Sequence, residues 1–412
     1  MEICPKDKCT GCYACVNVCA RGCISMKEDE LGCMHPIMDE EKCVHCNLCS
    51  KSCPNNVQMH YAYPIKCYAS WIKDKDKRRI CASGGIGTIM SEYVIKQGGV
   101  VFGSRYDENL TPIMSYTESL EELEHFKGSR YVQSLVGEKT YKQAKDFLRA
   151  GRLVLFVGTP CQIAGLKTFL RKEYESLITV DLICHGVCPT SYLKSEISYL
   201  TERYKLTDIS DVRFRGNDGN NFRLTLWNKD RRKLFPRDNY REKLLHLDEA
   251  QQYYLKGFLL GVSMRENCYS CNYARPERIS DITIGDFIGL GKDKPFNYPK
   301  ANVSSVTINS SKGNSFYEEV SKAMNNTLVN IERDYQERLQ YKPSLVHPFE
   351  RHPLNAKFIE LCKQNGYLFA IHETLRTTLR DELIKTYLHH WTYFYRIPRK
   401  LIKIILGKNG KK

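Results

Sequence analysis

Residues Val154–Leu166 read VLFVGTPCQIAGL. The apolar, β-branched run ends at a glycine. Thr159 then suits a helix N-cap and Pro160 a first helical residue. A strand therefore feeds straight into a helix, with Cys161 in the helix's first turn. Upstream, TYKQAKDFLRAGRL (140–153) reads as a helix with a Gly151 stop, which places the strand at Leu153–Val157. The same theme recurs along the chain. A helix from near Gly85 to Gln97 meets Gly98-Gly99 and then the strand VVFGSRY (100–106). A strand at about Ile178–Cys184 precedes a helix after Pro189, and DITIGDF (281–287) reads as a further strand. Alternation of this kind predicts an α/β domain around a mainly parallel sheet. In such sheets ligands gather beyond the carboxyl ends of the strands. Cys161 and Cys184 are both expected at that edge, and a helix N-terminus favours a thiolate at Cys161.

The N-terminal region carries a different signal. CTGCYACVNVCA supplies Cys9, Cys12, Cys15 and Cys19, and CVHCNLCSKSCP supplies Cys43, Cys46, Cys49 and Cys53. Both runs are C-x2-C-x2-C-x3-C, and they repeat after 34 residues. This is the two-cluster ferredoxin spacing, in which the fourth cysteine of each run serves the other cluster. Cluster I then takes Cys9, Cys12, Cys15 and Cys53, and cluster II takes Cys43, Cys46, Cys49 and Cys19. Pro54 follows the second run as the pattern expects, whereas Ala20 follows the first. Zinc is the competing occupant, but zinc sites usually use two separated ligand pairs. Cys4, Cys23, Cys33, Cys67 and Cys81 are left over and read as incidental thiols.

Further on, RENCYSCNYARPERISDITIGDF holds Cys268 and Cys271 as one C-x2-C. With Cys161 and Cys184 this pair completes a set of four thiols. From spacing alone a structural zinc, a redox dithiol and unrelated buried cysteines all stay open. The segments SGG (83–85), KGSRYVQS (127–134), LFVGTPCQIAGL, VDLICHGV (180–187) and the CYSC–DITIGDF region resemble, in order, the beta subunit of coenzyme F420-reducing hydrogenase. Its relatives include F420-linked dehydrogenase subunits and two ferredoxin-dependent enzymes of chlorophyll metabolism. The resemblance spans roughly residues 1–290. It implies a third [4Fe–4S] cluster on Cys161, Cys184, Cys268 and Cys271, with Cys188 a rival ligand, and it implies FAD. Ser83, Gly84 and Gly85 are the candidate pyrophosphate cradle, through N–H groups at a helix start. Gly128, Ser129, Arg130, Tyr131 and Gln133, with Thr159 and Pro160, are the other candidate flavin contacts. His185 is the candidate proton donor, and Asp286 is a second candidate. Ile288 stands where the family commonly has tryptophan. GNDGNN (216–221) replaces a lysine-containing stretch, so F420 itself is not carried over. No G-x-G-x-x-G fingerprint supports a nicotinamide donor.

The chain of 412 residues has a net charge of +15, yet residues 1–66 hold seven Lys and Arg against eight Asp and Glu. The basic excess lies in the remainder and suits an acidic partner, a phosphorylated ligand or an anionic surface. No nucleic-acid-binding signature is present, so nucleic acid is not expected as a partner. Neither a signal-peptide pattern nor a long apolar run occurs, which gives a cytoplasmic expectation. The tail HHWTYFYRIPRKLIKIILGKNGKK (389–412) is basic and locally apolar. It reads either as a docked helix with a solvated face or as a peripheral contact with the inner face of a membrane.

The expected architecture is an α+β ferredoxin-like domain (1–66), an α/β flavin and cluster domain (67–295) and a mostly helical extension (296–412). The expected activity is that of an iron–sulfur flavoprotein. It takes electrons from a redox protein donor (ferredoxin or flavodoxin) and reduces an unidentified organic substrate, with cell-envelope polysaccharide metabolism as one setting. The alternatives are an electron-transfer subunit of a larger complex and a zinc-binding scaffold.

Overall fold

The computed structural model describes residues 2–215, 222–236 and 252–395. The GNDGNN stretch and the tail beyond Tyr395 lie outside the described residues. The N-terminal segment contains α1 (Ala14–Val18), the antiparallel pair β1 (Ile24–Glu28) and β2 (Met34–Met38), and α2 (Leu48–Lys51). The sequence repeat is also a backbone repeat. Gly11 and Tyr13 have φ of 62° and 62°, and their counterparts 34 residues on, His45 and Asn47, have 50° and 58°. Loop shape is kept although three of the four are not glycine, a strained choice that a ligand-wrapping loop justifies.

The body is built on β3 (Lys66–Ile72), α3 (Lys75–Arg79), α4 (Ile86–Lys96), β4 (Val100–Tyr106), β5 (Pro112–Thr117), α5 (Thr140–Arg149), β6 (Val154–Gly158), α6 (Pro160–Leu170), β7 (Leu177–Leu182) and α7 (Thr190–Tyr204). A separate antiparallel sheet follows, of β8 (Ile209–Arg213), β9 (Thr225–Asn228) and β10 (Lys233–Phe235), then α8 (Tyr253–Leu259). The chain continues with β11 (Ile282–Asp286), β12 (Ser304–Ile308), α9 (Ser311–Ala323), β13 (Leu328–Arg333), α10 (Tyr335–Leu339), α11 (Asn355–Asn365) and α12 (Tyr367–Tyr395).

The main sheet has strand order β13-β3-β12-β11-β7-β6-β4-β5. Only β4, β6, β7 and β11 run parallel to their neighbours; β5, β12, β3 and β13 pair antiparallel on the flanks. The sheet is mixed rather than mainly parallel. The helix–strand alternation that signals crossovers covers only its centre, and the flanks return without crossover helices. Two flanking strands, β12 and β13, come from beyond residue 295, where the recognisable motifs have faded.

One apolar core lies between the sheet and α4 with α9, around Ile89, Val94, Val101, Val306, Phe316 and Val320. On the opposite face α5 and α6 pack on Phe102 and Phe156, and that core runs unbroken into the N-terminal segment through Tyr13, Ala14 and Val16. Asn17 ties the same joint: its amide donates to Gly137 O at 2.9 Å, and its Oδ1 accepts from Tyr141 N at 3.2 Å. Burying large apolar side chains at about 1.5–3 kcal/mol each fixes this joint far more firmly than a tether would.

Candidate metal centres

Cys9, Cys12, Cys15 and Cys53 line one cavity of about 330 Å³, its mouth included, walled otherwise by Ile3, Met26 and Pro36. The 3-residue spacings bring the first three thiols to one loop, and Cys53 arrives from the second run. Cys4 lines the same cavity, with its thiol against Cys9 and Cys53. Hydrogen bonding from Cys4 draws the Cys9 thiol down to about 4 and Cys53 to about 7, whereas burial holds Cys12 up at about 12. The chemistry of this donor set, four convergent thiols without a carboxylate, fits a [4Fe–4S] cluster.

The other four thiols also gather. Cys49 senses the charges of Cys46 and Cys19, and Cys43 lies against Cys23, whose Sγ is 3.3 Å from Cys19 Sγ. Cys46 is exposed, so this group faces outward. Cys4 and Cys23 are thus not incidental thiols: each is a fifth sulfur beside one set. Spacing gave no sign of this, because neither belongs to the repeat. Cys33, Cys67 and Cys81 are buried elsewhere, Cys67 against Ser305 and Cys81 against Thr88. We expect Cys4→Ser to keep every iron and the double variant Cys4→Ser/Cys53→Ser, which leaves no sulfur to replace Cys53, to lose about four, checked by iron content of the anaerobic protein.

The third group is assembled from three loops. Thr159 and Gln162 form a capping box on α6, with Thr159 N–H donating to Gln162 Oε1 at 2.9 Å, and this fixes Cys161 in the first turn. Cys184 lies two residues past β7, and Cys268 and Cys271 flank a short turn before β11. Cys184 senses the charges of Cys161 and Cys271, and Cys268 senses all three. Cys188, the rival ligand, is buried on another side with its Sγ 3.4 Å from Ser263 Oγ. The helix N-terminus does not make Cys161 a free thiolate: burial pushes it up to about 11, and Cys184 to about 12. Four neutral thiols held together this way are ready to exchange protons for a cationic centre, which fits an iron–sulfur cluster.

Helix α6 joins the first and third groups. A Cβ added at Gly165 would stand 2.9 Å from Tyr141 Oη and 3.0 and 3.1 Å from Cys12 Cβ and Sγ. Four residues after Cys161, the helix backbone thus presses against a cluster I cysteine. Gly165→Ala is expected to cost about 1–3 kcal/mol by overpacking and to loosen Cys12. A lower unfolding temperature with reduced iron would show it; wild-type values for both would contradict it.

The flavin candidates divide. Gly84 N–H donates to Ser304 Oγ at 2.9 Å and Gly85 N–H to Ala82 O at 3.0 Å. A Cβ at Gly84 would lie 2.3 Å from Ser70 O. This segment is built for close packing of a helix start on β3. Two of the N–H groups there, those of Gly84 and Gly85, are thus already taken by protein acceptors. Gln133 is also otherwise engaged: its Nε2 donates to Thr10 O at 3.3 Å and its Oε1 accepts from Arg265 at 2.9 Å. Thr159 turns its hydroxyl to Cys161 Sγ at 3.2 Å, and Pro160 is buried. Arg130 caps the carbonyls of His125, Phe126 and Lys127 and lies 5.0 Å over the Tyr106 ring. Tyr131 stacks on Phe258 at 5.1 Å and, with neighbouring Ser129, borders Arg215. Gly128, at φ 85°, approaches Arg215 O.

Arg215 is ion-paired with Asp286, which ends β11. His185 is wedged between Phe349 at 4.1 Å and Phe258 at 5.0 Å, with no protein partner on its buried Nε2. Burial, helped by Lys342, draws it down to about 4. Burial thus disfavours its protonated form, so the ring is held neutral and is a weak base at working pH. Asp286, Arg215, Lys342 and His185 stand together at the carboxyl-end side of β7 and β11, next to Cys184.

Among the described residues no helix is long and apolar enough to cross a membrane. Residues 151–334 match the family model for the C terminus of the coenzyme F420 hydrogenase/dehydrogenase beta subunit, and residues 8–57 match a 4Fe-4S dicluster domain. An uncharacterized ferredoxin of Methanocaldococcus jannaschii is 34% identical over 74 residues, which is 18% of this chain and 88% of that protein. A chain of the F420-reducing [NiFe] hydrogenase complex from Methanosarcina barkeri is similar at 15% identity and a TM-score of 0.43, over 82% of this chain and 96% of that one. The chain is thus an iron–sulfur electron-transfer protein that carries a 4Fe-4S dicluster domain at residues 8–57 and, over residues 151–334, matches the C terminus of the coenzyme F420 hydrogenase/dehydrogenase beta subunit.

Proposed function

We propose that the protein is an oxidoreductase that accepts single electrons from a redox protein donor, ferredoxin or flavodoxin, at its N-terminal segment. It delivers them to an organic substrate beside Cys184, His185 and Asp286. One observation carries this reading: three groups of cysteines are arranged from an exposed set, through a cavity, to a set inside the α/β body, with Gly165 closing the last gap. On this reading Cys9, Cys12, Cys15 and Cys53 hold one [4Fe–4S] cluster, Cys19, Cys43, Cys46 and Cys49 a second, and Cys161, Cys184, Cys268 and Cys271 a third. When bound, such clusters carry single electrons, and a flavin converts them to the two-electron chemistry of organic substrates. The flavin rests on the family resemblance, and at Ser83–Gly85 the N–H groups of Gly84 and Gly85 are already engaged.

The chain's own residues supply the remainder. Ile3, Met26 and Pro36 wall the Cys9–Cys12–Cys15–Cys53 cavity against water. Arg215 fixes the Asp286 carboxylate, and His185 presents an uncharged acceptor nitrogen beside Cys184. The test is anaerobic turnover by the isolated chain with reduced ferredoxin or flavodoxin and candidate acceptors. Reoxidation by a small molecule supports an enzyme. Failure of every acceptor, with stable co-purification of a second protein, favours an electron-transfer subunit. Stoichiometric zinc without iron would sink both.

A further inference from the structure

Arg265 is 1% exposed, and among the described residues no carboxylate lies within ion-pair distance of it. Its guanidinium is held by neutral oxygens alone: Cys9 O at 3.0 Å, Met34 O at 3.2 Å, Gln133 Oε1 at 2.9 Å and Asn267 Oδ1 at 3.1 Å. Neighbouring Glu266 turns away to Arg351. A buried cation without a counter-ion is costly, by several kcal/mol even after hydrogen bonding. Its persistence points to anionic charge nearby that the side chains do not provide.

The position says where that charge belongs. Arg265 grips the carbonyl of Cys9, in the cluster I loop. Its own carbonyl accepts from Cys268 N–H at 3.0 Å, in the loop of the third group. A cluster with four thiolate ligands is a net anion. We propose that Arg265 is a shared buried counter-ion, set between the cluster I cysteines and the Cys161–Cys184–Cys268–Cys271 group. It holds the two in register and makes both easier to reduce, while leaving the outward Cys19–Cys43–Cys46–Cys49 group alone. The proposal rests on the cluster reading above and adds to it a positioning residue outside every cysteine motif.

The test uses the full-length, anaerobically purified protein and reads cluster potentials by EPR-monitored titration, with iron content as the companion measurement. Wild-type iron content decides the cluster reading by itself, at about twelve atoms per chain against about eight. The Arg265 variants then decide this proposal. In Arg265→Gln, which keeps hydrogen-bonding capacity but no charge, two of the three potentials are expected to move to more negative values and the third to stay. Arg265→Lys, which keeps the charge, should hold both near wild type. Iron lost in the Gln variant but kept in the Lys variant would also support a role for the charge. Unchanged potentials in Arg265→Gln with full iron would overturn it, as would equal iron loss in both variants, since hydrogen bonding alone would then be the function.

Discussion

In the Cys161→Ala protein, iron content is expected to fall by about four atoms per chain while the EPR signals of the two N-terminal clusters persist. Cys161 is fixed by the capping box of α6 and stands with Cys184, Cys268 and Cys271 and no fifth thiol. This set therefore has no sulfur in reserve, whereas the N-terminal sets have Cys4 and Cys23. On the proposed path, electron delivery from reduced ferredoxin to any acceptor should fall to background. Cys188→Ala is the matched control. Its thiol faces Ser263, so the same measurement should show full iron. Unchanged iron in Cys161→Ala, or a loss of about four in Cys188→Ala, would contradict the ligand set.

Glu196→Gln is expected to flatten the pH dependence of stability between about pH 4.5 and 8. Glu196 lies on α7 with 0% exposure. Its Oε1 accepts one weak bond from Tyr254 N–H at 3.4 Å, and its Oε2 has no partner. Burial pushes its carboxyl up to about 8, and the titratable groups that sense it, Tyr253, Tyr254 and Tyr367, carry no positive charge. The folded state therefore binds a proton that the unfolded chain releases near its ordinary value. Because the folded pKa of this acid is raised, stability is complete at low pH and declines as pH rises toward 8. The difference across that window is on the order of 4–5 kcal/mol. Glutamine keeps the acceptor oxygen and cannot ionise, so the variant should unfold at higher denaturant than wild type at pH 8, by a smaller margin at pH 6, and nearly the same at about pH 4.5 or below. Parallel pH profiles for the two proteins would show that Glu196 is not the group responsible.

How much was legible can be judged residue by residue. The ferredoxin spacing was readable because ligand reach imposes it on neighbouring residues. The strands around Cys161 were readable because β-branched runs ending in glycine leave few other choices. That Cys161 and Cys184 share the carboxyl-end edge of the sheet followed from strand polarity. Strands β3, β12 and β13 were harder to read: antiparallel pairing across 230 or more residues leaves no local periodicity beyond that of a short apolar strand. The same holds for Gly165, whose role depends on Cys12 arriving from a distant loop. SGG reads two ways for a physical reason. Glycines that let a backbone approach a phosphate are the same residues that let a helix start approach a strand, and Ser70 and Ser304 occupy that space. Arg265 sits in unremarkable local sequence and Gln133 was marked only as a flavin candidate; their shared grip on the Cys9–Gly11 loop shows only in the folded chain.

The central claim is that the α/β body holds a cluster of its own in addition to the two of the N-terminal repeat. Iron and acid-labile sulfide per chain in the full-length protein, purified anaerobically and examined by Mössbauer spectroscopy, test it most directly. The account predicts about twelve of each, in three [4Fe–4S] environments. About eight of each, with Cys161, Cys184, Cys268 and Cys271 all titratable as free thiols or holding zinc, would contradict it.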